Sequence, residues 1–485
     1  MQNTVAFSLQ TRYNTAENEF CVQENCKKEC NLTMATISPV FEQDIHSLYA
    51  KLAAQYVIPQ RCLDDPNIKH GLRNADGTGV LAGVSNIGSV QGYYMEDGVR
   101  QPAPGRLYYR GISVEDIIEA HRAAGTFGYE EVAYLLLIGK LPRARQLEAF
   151  NHLLDEARAL PERFNEDNIL RQPSANIMNQ LGRCVLDLYS YDDNPDDTSM
   201  ENLTRQSVEL IARVPLICAN AYRAKRYYYE HKSMHLHNPA SGLSLSENFL
   251  RMLRKDKQYT PDEAHLLDLM MILHAEHSSN NSTFVCRAMS SSGTDTYSAI
   301  AGAIGSLKGP LHGGANAKAL DMFMDVKANV GEDPTDDALS AYLDRILDKQ
   351  AGDRSGKIYG LGHAVYTMSD PRAVVIKKYA RSLAADKGRE GDLVLMDRIE
   401  RMGIEKIMDR RKRPIAMCAN VDMYSGLIYD MLGIPADMFT PLFASARMAG
   451  WCAHRMEEVA TGIRIMRPAY RATQIRRAYV PVEER

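Results

Sequence analysis

The chain has 485 residues, 45% of them hydrophobic, with 57 Lys and Arg against 61 Asp and Glu, for a formal net charge of −4. That length exceeds what one hydrophobic core usually serves, so two domains, or one large domain with a subdomain, are expected. The slightly acidic balance gives no general field for nucleic acid, and no run approaches the roughly 18 consecutive apolar residues of a membrane helix, so neither nucleic acid nor a membrane is an expected partner.

The first residues, Met1 to Ser8, lack the basic and apolar stretches of a secretory signal, and Glu17, Glu19 and Glu24 count against a transit peptide, which makes a cytoplasmic location the expectation. Residues 1–40 read as a polar extension with neither helical nor strand period. Within it Cys21, Cys26 and Cys30 form a C-x4-C-x3-C cluster that lacks the C-x2-C pairs and the fourth ligand of a zinc site. The other cysteines lie in apolar or helical contexts, where a reduced thiol is the usual form.

From about Phe41 onward the pattern is helical. Ser113, with Asp116 three residues on, caps a helix through Ile117, Ile118 and His121. Thr260-Pro261-Asp262-Glu263 combines a capping box with proline at the first helical position, ahead of a buried helix carrying Leu266, Leu267, Leu269 and Met270. Strand candidates are short pieces such as Leu107-Tyr108-Tyr109, and the fold class is mainly α. Neither a fixed-period repeat nor a low-complexity tract is present.

The residues that carry chemistry cluster in the second half. Gly309-Pro310-Leu311-His312-Gly313-Gly314-Ala315-Asn316 sets an imidazole in a small-residue turn whose glycines allow close approach and unusual dihedrals. Gly360-Leu361-Gly362-His363 follows, leading into Asp370-Pro371-Arg372, and then Asn420-Val421-Asp422. Two histidines, an aspartate and an arginine among glycines and breakers make an acid/base site with an anion clamp. His274 and His277 have metal-ligand spacing but no clear third ligand, so no metal is expected.

In these segments, and in Gly105–Gly111 and Glu130–Leu137, the sequence resembles the citrate synthase family, over about Tyr94 to Tyr479. The resemblance implies a large helical domain built from 41–313 and 422–485, a smaller helical domain inserted at 314–421, and an active site in the cleft between them. The implied reaction is condensation of acetyl-coenzyme A with oxaloacetate, then hydrolysis of citryl-coenzyme A. Asp422 would be the base, His312 the hydrogen-bond donor to the enolate, and His363 the group acting on the oxaloacetate carbonyl. His277, Arg372, Arg447 and Arg467 would hold oxaloacetate, and Arg467 would come from the neighbouring subunit of a homodimer.

Where many relatives carry arginines for coenzyme A phosphates, this chain has Ala364 and Thr367, which leaves Lys357 and Arg354 as candidates. No cofactor is implied, because the thioester is a substrate. Alternatives within the resemblance are a 2-methylcitrate synthase using propionyl-coenzyme A, a citrate-cleaving lyase module and a non-catalytic homologue.

Overall fold

A computed structural model describes residues 58–485 apart from 59, 66, 75, 76, 279, 412–415, 463, 474 and 475. The 1–40 extension and its three cysteines lie outside the described residues. The chain divides into two compact units. One comprises residues 1–75 and 470–485, and its described features include a helical turn, Gln60–Leu63, short 3-10 turns at His70–Leu72 and Val482–Glu484, and the ion pair between Arg471 and Asp65. The other, Asp76–Ala469, holds every candidate site residue.

The second unit opens on a hairpin rather than on helix. Strand β1 (Gly88–Glu96) pairs antiparallel with β2 (Val99–Tyr109) through Asp97-Gly98, whose φ angles of 50° and 76° suit the turn that matches strand twist. β3 (Ile112–Ser113) adds two residues to its edge. Among the described residues the expected helical pattern from Phe41 is therefore reduced, before Ser113, to the short turns Gln60–Leu63 and His70–Leu72. The cause is legible in Pro102 and Pro104 and the glycines between Gly71 and Gly105, which disfavour helical backbone.

Helices follow: α1 (Val114–Ala124), α2 (Tyr129–Ile138), α3 (Ala144–Ala157), α4 (Ile177–Leu188), α5 (Met200–Glu230), α6 (Leu245–Leu253), α7 (Pro261–His274), α8 (Asn281–Ser290) and α9 (Thr296–Lys308). The expected caps form: Ser113 accepts from the Asp116 amide, and both arms of the Thr260–Glu263 box are present. Next come α10 (Ala315–Val330), α11 (Asp336–Leu347), α12 (Pro371–Asp386), α13 (Glu390–Arg410), α14 (Val421–Met431) and α15 (Phe439–Ala460).

Helix α15 is the axis of the core. Almost every side chain from Phe439 to Arg455 is buried, and α2, α4, α5, α7, α8 and α9 all pack against it. A helix apolar on all faces belongs in the middle of a protein, so what it carries there, including Arg447, is held from every side. Helices α10 to α13 pack on one another, and α10 and α12 pack on α14. No described helix is long and apolar enough to cross a membrane.

Candidate active site

Asp422 stands at the start of α14, where Asn420 caps the helix by accepting from the Asp422 amide at 2.9 Å. The Asn420 amide donates to the Gly360 carbonyl and its side chain to the Gly362 carbonyl, while the Gly362 amide donates to Cys418. With the bridge between Leu361 and Ala419, these bonds stitch the His363 loop to the Asp422 turn. Gly360 is required here: its φ is 83°, and a Cβ would lie 2.6 Å from the Met423 Cα.

Asp370 makes the second stitch. It caps α12 through the Arg372 amide, takes Nε and Nη2 of Arg372 on its two oxygens at 3.0 and 2.7 Å, and accepts from the Val421 amide at 3.2 Å. Burial pulls the Arg372 guanidinium down, but Asp370 wins and holds it above its ordinary value. Burial also raises Asp422, to about 6, against the pull of Arg372 and Arg447. Asp370 adds to that rise, so the carboxylate is held between one like charge and two opposite ones.

His363, Tyr366 and His277 form one aromatic group. The His363 and Tyr366 rings stack at 4.5 Å, and His277 meets them edge-on at 5.2 and 5.5 Å. The amides of Val365 and Tyr366 both donate to His363 Nδ1 at 3.1 Å, so in the neutral ring the proton is on Nε2. His277 Nε2 lies 3.2 Å from the Tyr366 hydroxyl. Burial, with Arg372 and His363 nearby, holds His277 well below the usual imidazole range.

His312 is fixed by α8. The Ser282 amide donates to its Nε2 at 3.2 Å, and the Ser282 hydroxyl lies 2.9 Å from the same atom. A backbone N–H can only donate, so Nε2 carries the lone pair and Nδ1 the proton. Burial first and Arg447 second bring this imidazole down to about 4, so it is neutral near pH 7. The turn that carries it works differently from the sequence expectation. Gly309, Gly313 and Gly314 do not take positive φ. Gly313 is needed because a Cβ would stand 2.3 Å from the Leu307 carbonyl.

Arg447 is 1% exposed, and burial lowers it to about 10, opposed by Glu276. Its Nε donates to the His274 carbonyl at 2.8 Å, while its Nη2 has no partner. A buried guanidinium with an unspent nitrogen is an anion site in waiting. Glu276, fully buried beside His277, lies 3.0 Å from His454 Nε2, though not aligned as a hydrogen bond.

The structure thus brings His312, His363, His277, Asp422, Arg372 and Arg447 together, and leaves three sequence candidates elsewhere. Arg467 is exposed on irregular chain beyond α15, next to Met466, whose amide donates to Ser291. Arg354 and Lys357 are exposed on the loop after α11, where Asp353 is held by Lys318 and Tyr359. Among the described residues no cluster of His, Cys, Asp or Glu is placed to hold a metal ion.

Residues 75–469 match the family described as "Citrate synthase, C-terminal domain". The chain belongs to the citrate synthase family. It is 36% identical to a citrate synthase of Acidithiobacillus ferridurans over 87% of this chain and 99% of that one. It is 33% identical to a 2-methylcitrate synthase of Shewanella oneidensis over 75% of this chain and 87% of that one. Its fold resembles that of a citrate synthase from Thermoplasma acidophilum solved with carboxymethyl coenzyme A and oxaloacetate, with a TM-score of 0.71, 26% identity, and 87% and 100% of the two chains covered.

For a member of this family, sequence reading missed the supports more than the reactive groups. Asp370 carried a usable signal, an acidic cap directly before proline and arginine. Tyr109, whose hydroxyl lies 2.8 Å from the Ile272 carbonyl and 3.0 Å from that of Glu276, and Ser282 carried none, because their partners lie far along the chain.

Proposed function

We propose that this chain condenses acetyl-coenzyme A with oxaloacetate and hydrolyses the resulting thioester to citrate and coenzyme A, as an acyltransferase. The observation that carries the mechanism is the pairing of a raised carboxylate, Asp422, with a neutral imidazole, His312, whose one ring N–H is at Nδ1. Asp422 takes a proton from the acetyl methyl while His312 Nδ1–H stabilises the enolate oxygen. The enolate carbon attacks the oxaloacetate carbonyl carbon as its C–O π bond opens, and the oxygen, polarised by His363 Nε2–H, takes that proton to become the hydroxyl. Water then adds to the thioester carbon, the C–S bond breaks, and the sulfur leaves as the thiol.

Arg447, with its unspent Nη2, and Arg372 bind the carboxylates, and His277 sits beside them. Arg467 completes the site from a second subunit, which makes the working unit a homodimer. Lys357 and Arg354 remain the candidates for coenzyme A phosphates, segment 314–421 is the smaller domain, and the reading calls for no cofactor. Six described cysteines are free thiols, which suits a reducing cytoplasm.

The second reading is propionyl transfer, favoured by the Shewanella relative. One methylene is worth roughly 10–200-fold in a pocket. The expectation is a kcat/KM for acetyl-coenzyme A at least about tenfold above that for propionyl-coenzyme A. The reverse order would make the chain a 2-methylcitrate synthase.

A pH profile tests the base. With Asp422 near 6 in the free enzyme, the active form is the ionised one. Thus kcat/KM should be level above that pH and fall about tenfold per unit below it, while His312, near 4, stays neutral over most of the window. A profile level down to pH 4.5 would exclude Asp422 as the group that titrates.

A further inference from the structure

The β1–β2 hairpin is irregular where it meets the site. Between the pairs Gln91↔Arg106 and Tyr93↔Pro102 the register shifts, so Gly92 alone faces Ala103, Pro104 and Gly105. Such a bulge takes amides out of the ladder. Pro104 has none to offer, and the other two are taken by hydroxyls from the loop after His363. The Ala103 amide donates to Thr367 Oγ1 at 3.2 Å and the Gly105 amide to Ser369 Oγ at 3.1 Å. Thr367 in turn donates to the Gly92 carbonyl.

The fit extends along the loop. Arg100 Nη2 donates to the Val365 carbonyl at 3.0 Å, with its guanidinium 3.9 Å from the centre of the Tyr93 ring. A Cβ at Gly92 would lie 2.6 Å from the Val365 oxygen, and one at Gly105 would lie 2.1 Å from the Ser369 oxygen. Residues 362–370 form neither helix nor strand, so their shape is set by what they rest on. That stretch carries His363 and Tyr366 and ends at the cap of Arg372.

We propose that the hairpin is a positioning strap for the His363–Arg372 segment and that the Thr367 hydroxyl, seated in the bulge, is its latch. The proposal rests on the reading that His363 acts on oxaloacetate. Thr367 is a positioning residue: it holds the backbone that donates Val365 and Tyr366 amides to His363 and keeps Tyr366 against His277. A threonine at this place fits the bulge, which has room for a short hydroxyl and uses both its donor and its acceptor.

The test is Thr367→Val, which keeps the shape and removes the hydroxyl, beside Thr367→Ser, which restores it. Valine should lower kcat and raise the oxaloacetate KM by about tenfold to a hundredfold, leave the acetyl-coenzyme A KM within about twofold, and be rescued by serine. Hydrogen exchange at the Val365, Tyr366 and Ala103 amides should quicken together in the valine chain. This readout needs no activity, so it tests the strap even if the parent enzyme proves not to condense these substrates. Should valine prevent folding, Arg100→Met, which removes the bond to Val365, should move kcat and the oxaloacetate KM in the same directions. Unchanged kinetics and exchange, or losses that serine does not rescue, would overturn the proposal.

Discussion

An Asp422→Asn chain is expected to lose about two to four orders of magnitude in turnover, the worth of a positioned base. The amide keeps the shape and leaves the Asn420 cap on the 422 backbone amide untouched, so α14 should start as before. Oxaloacetate binding should be unchanged or somewhat tighter, because the substitution removes a negative charge that both Arg372 and Arg447 feel. Steady-state kinetics with calorimetric titration of oxaloacetate separates the two effects. Near-normal turnover would take Asp422 out of the mechanism.

Mixing an Arg467→Ala chain with a His312→Ala chain should recover activity that neither has alone. Arg467 is exposed and apart from the cluster of its own chain, while Arg447 keeps a nitrogen for a carboxylate that one guanidinium cannot fully bind. If each site takes His312 from one subunit and Arg467 from the other, a hybrid dimer has one intact site, and random mixing restores roughly a quarter of all sites. Verified hybrids that stay inactive would place Arg467 in its own chain's site or in none.

What could be read from the sequence was what is local. The caps at Ser113 and Thr260 are patterns four residues long, and both formed. His312, His363 and Asp422 each sit in a short motif, and the structure gathers them. The reason given for the glycine turn at His312 was half right: Gly313 serves close approach, and the unusual dihedrals belong instead to Gly360 and Gly362. What could not be read was long-range. Ser282 sets the tautomer of His312 across 30 residues, and Thr367 meets Ala103 across 264. No periodicity or spacing encodes such pairs. The hairpin itself was underestimated because Pro102, Pro104 and Gly105 break the alternation by which strands are recognised.

Those prolines have a use during synthesis. The amides of Ala103 and Gly105 wait for hydroxyls that are made 264 residues later, which at about 5–20 residues per second is roughly 13 to 50 s of ribosome time. A hairpin formed within that interval would be an open edge with unmet donors, the kind of surface on which nascent chains pair with one another. Pro102 and Pro104 remove two of the donors a neighbouring strand would need. The same residues that bend β2 to receive the loop also keep it from accepting a stranger before the loop exists.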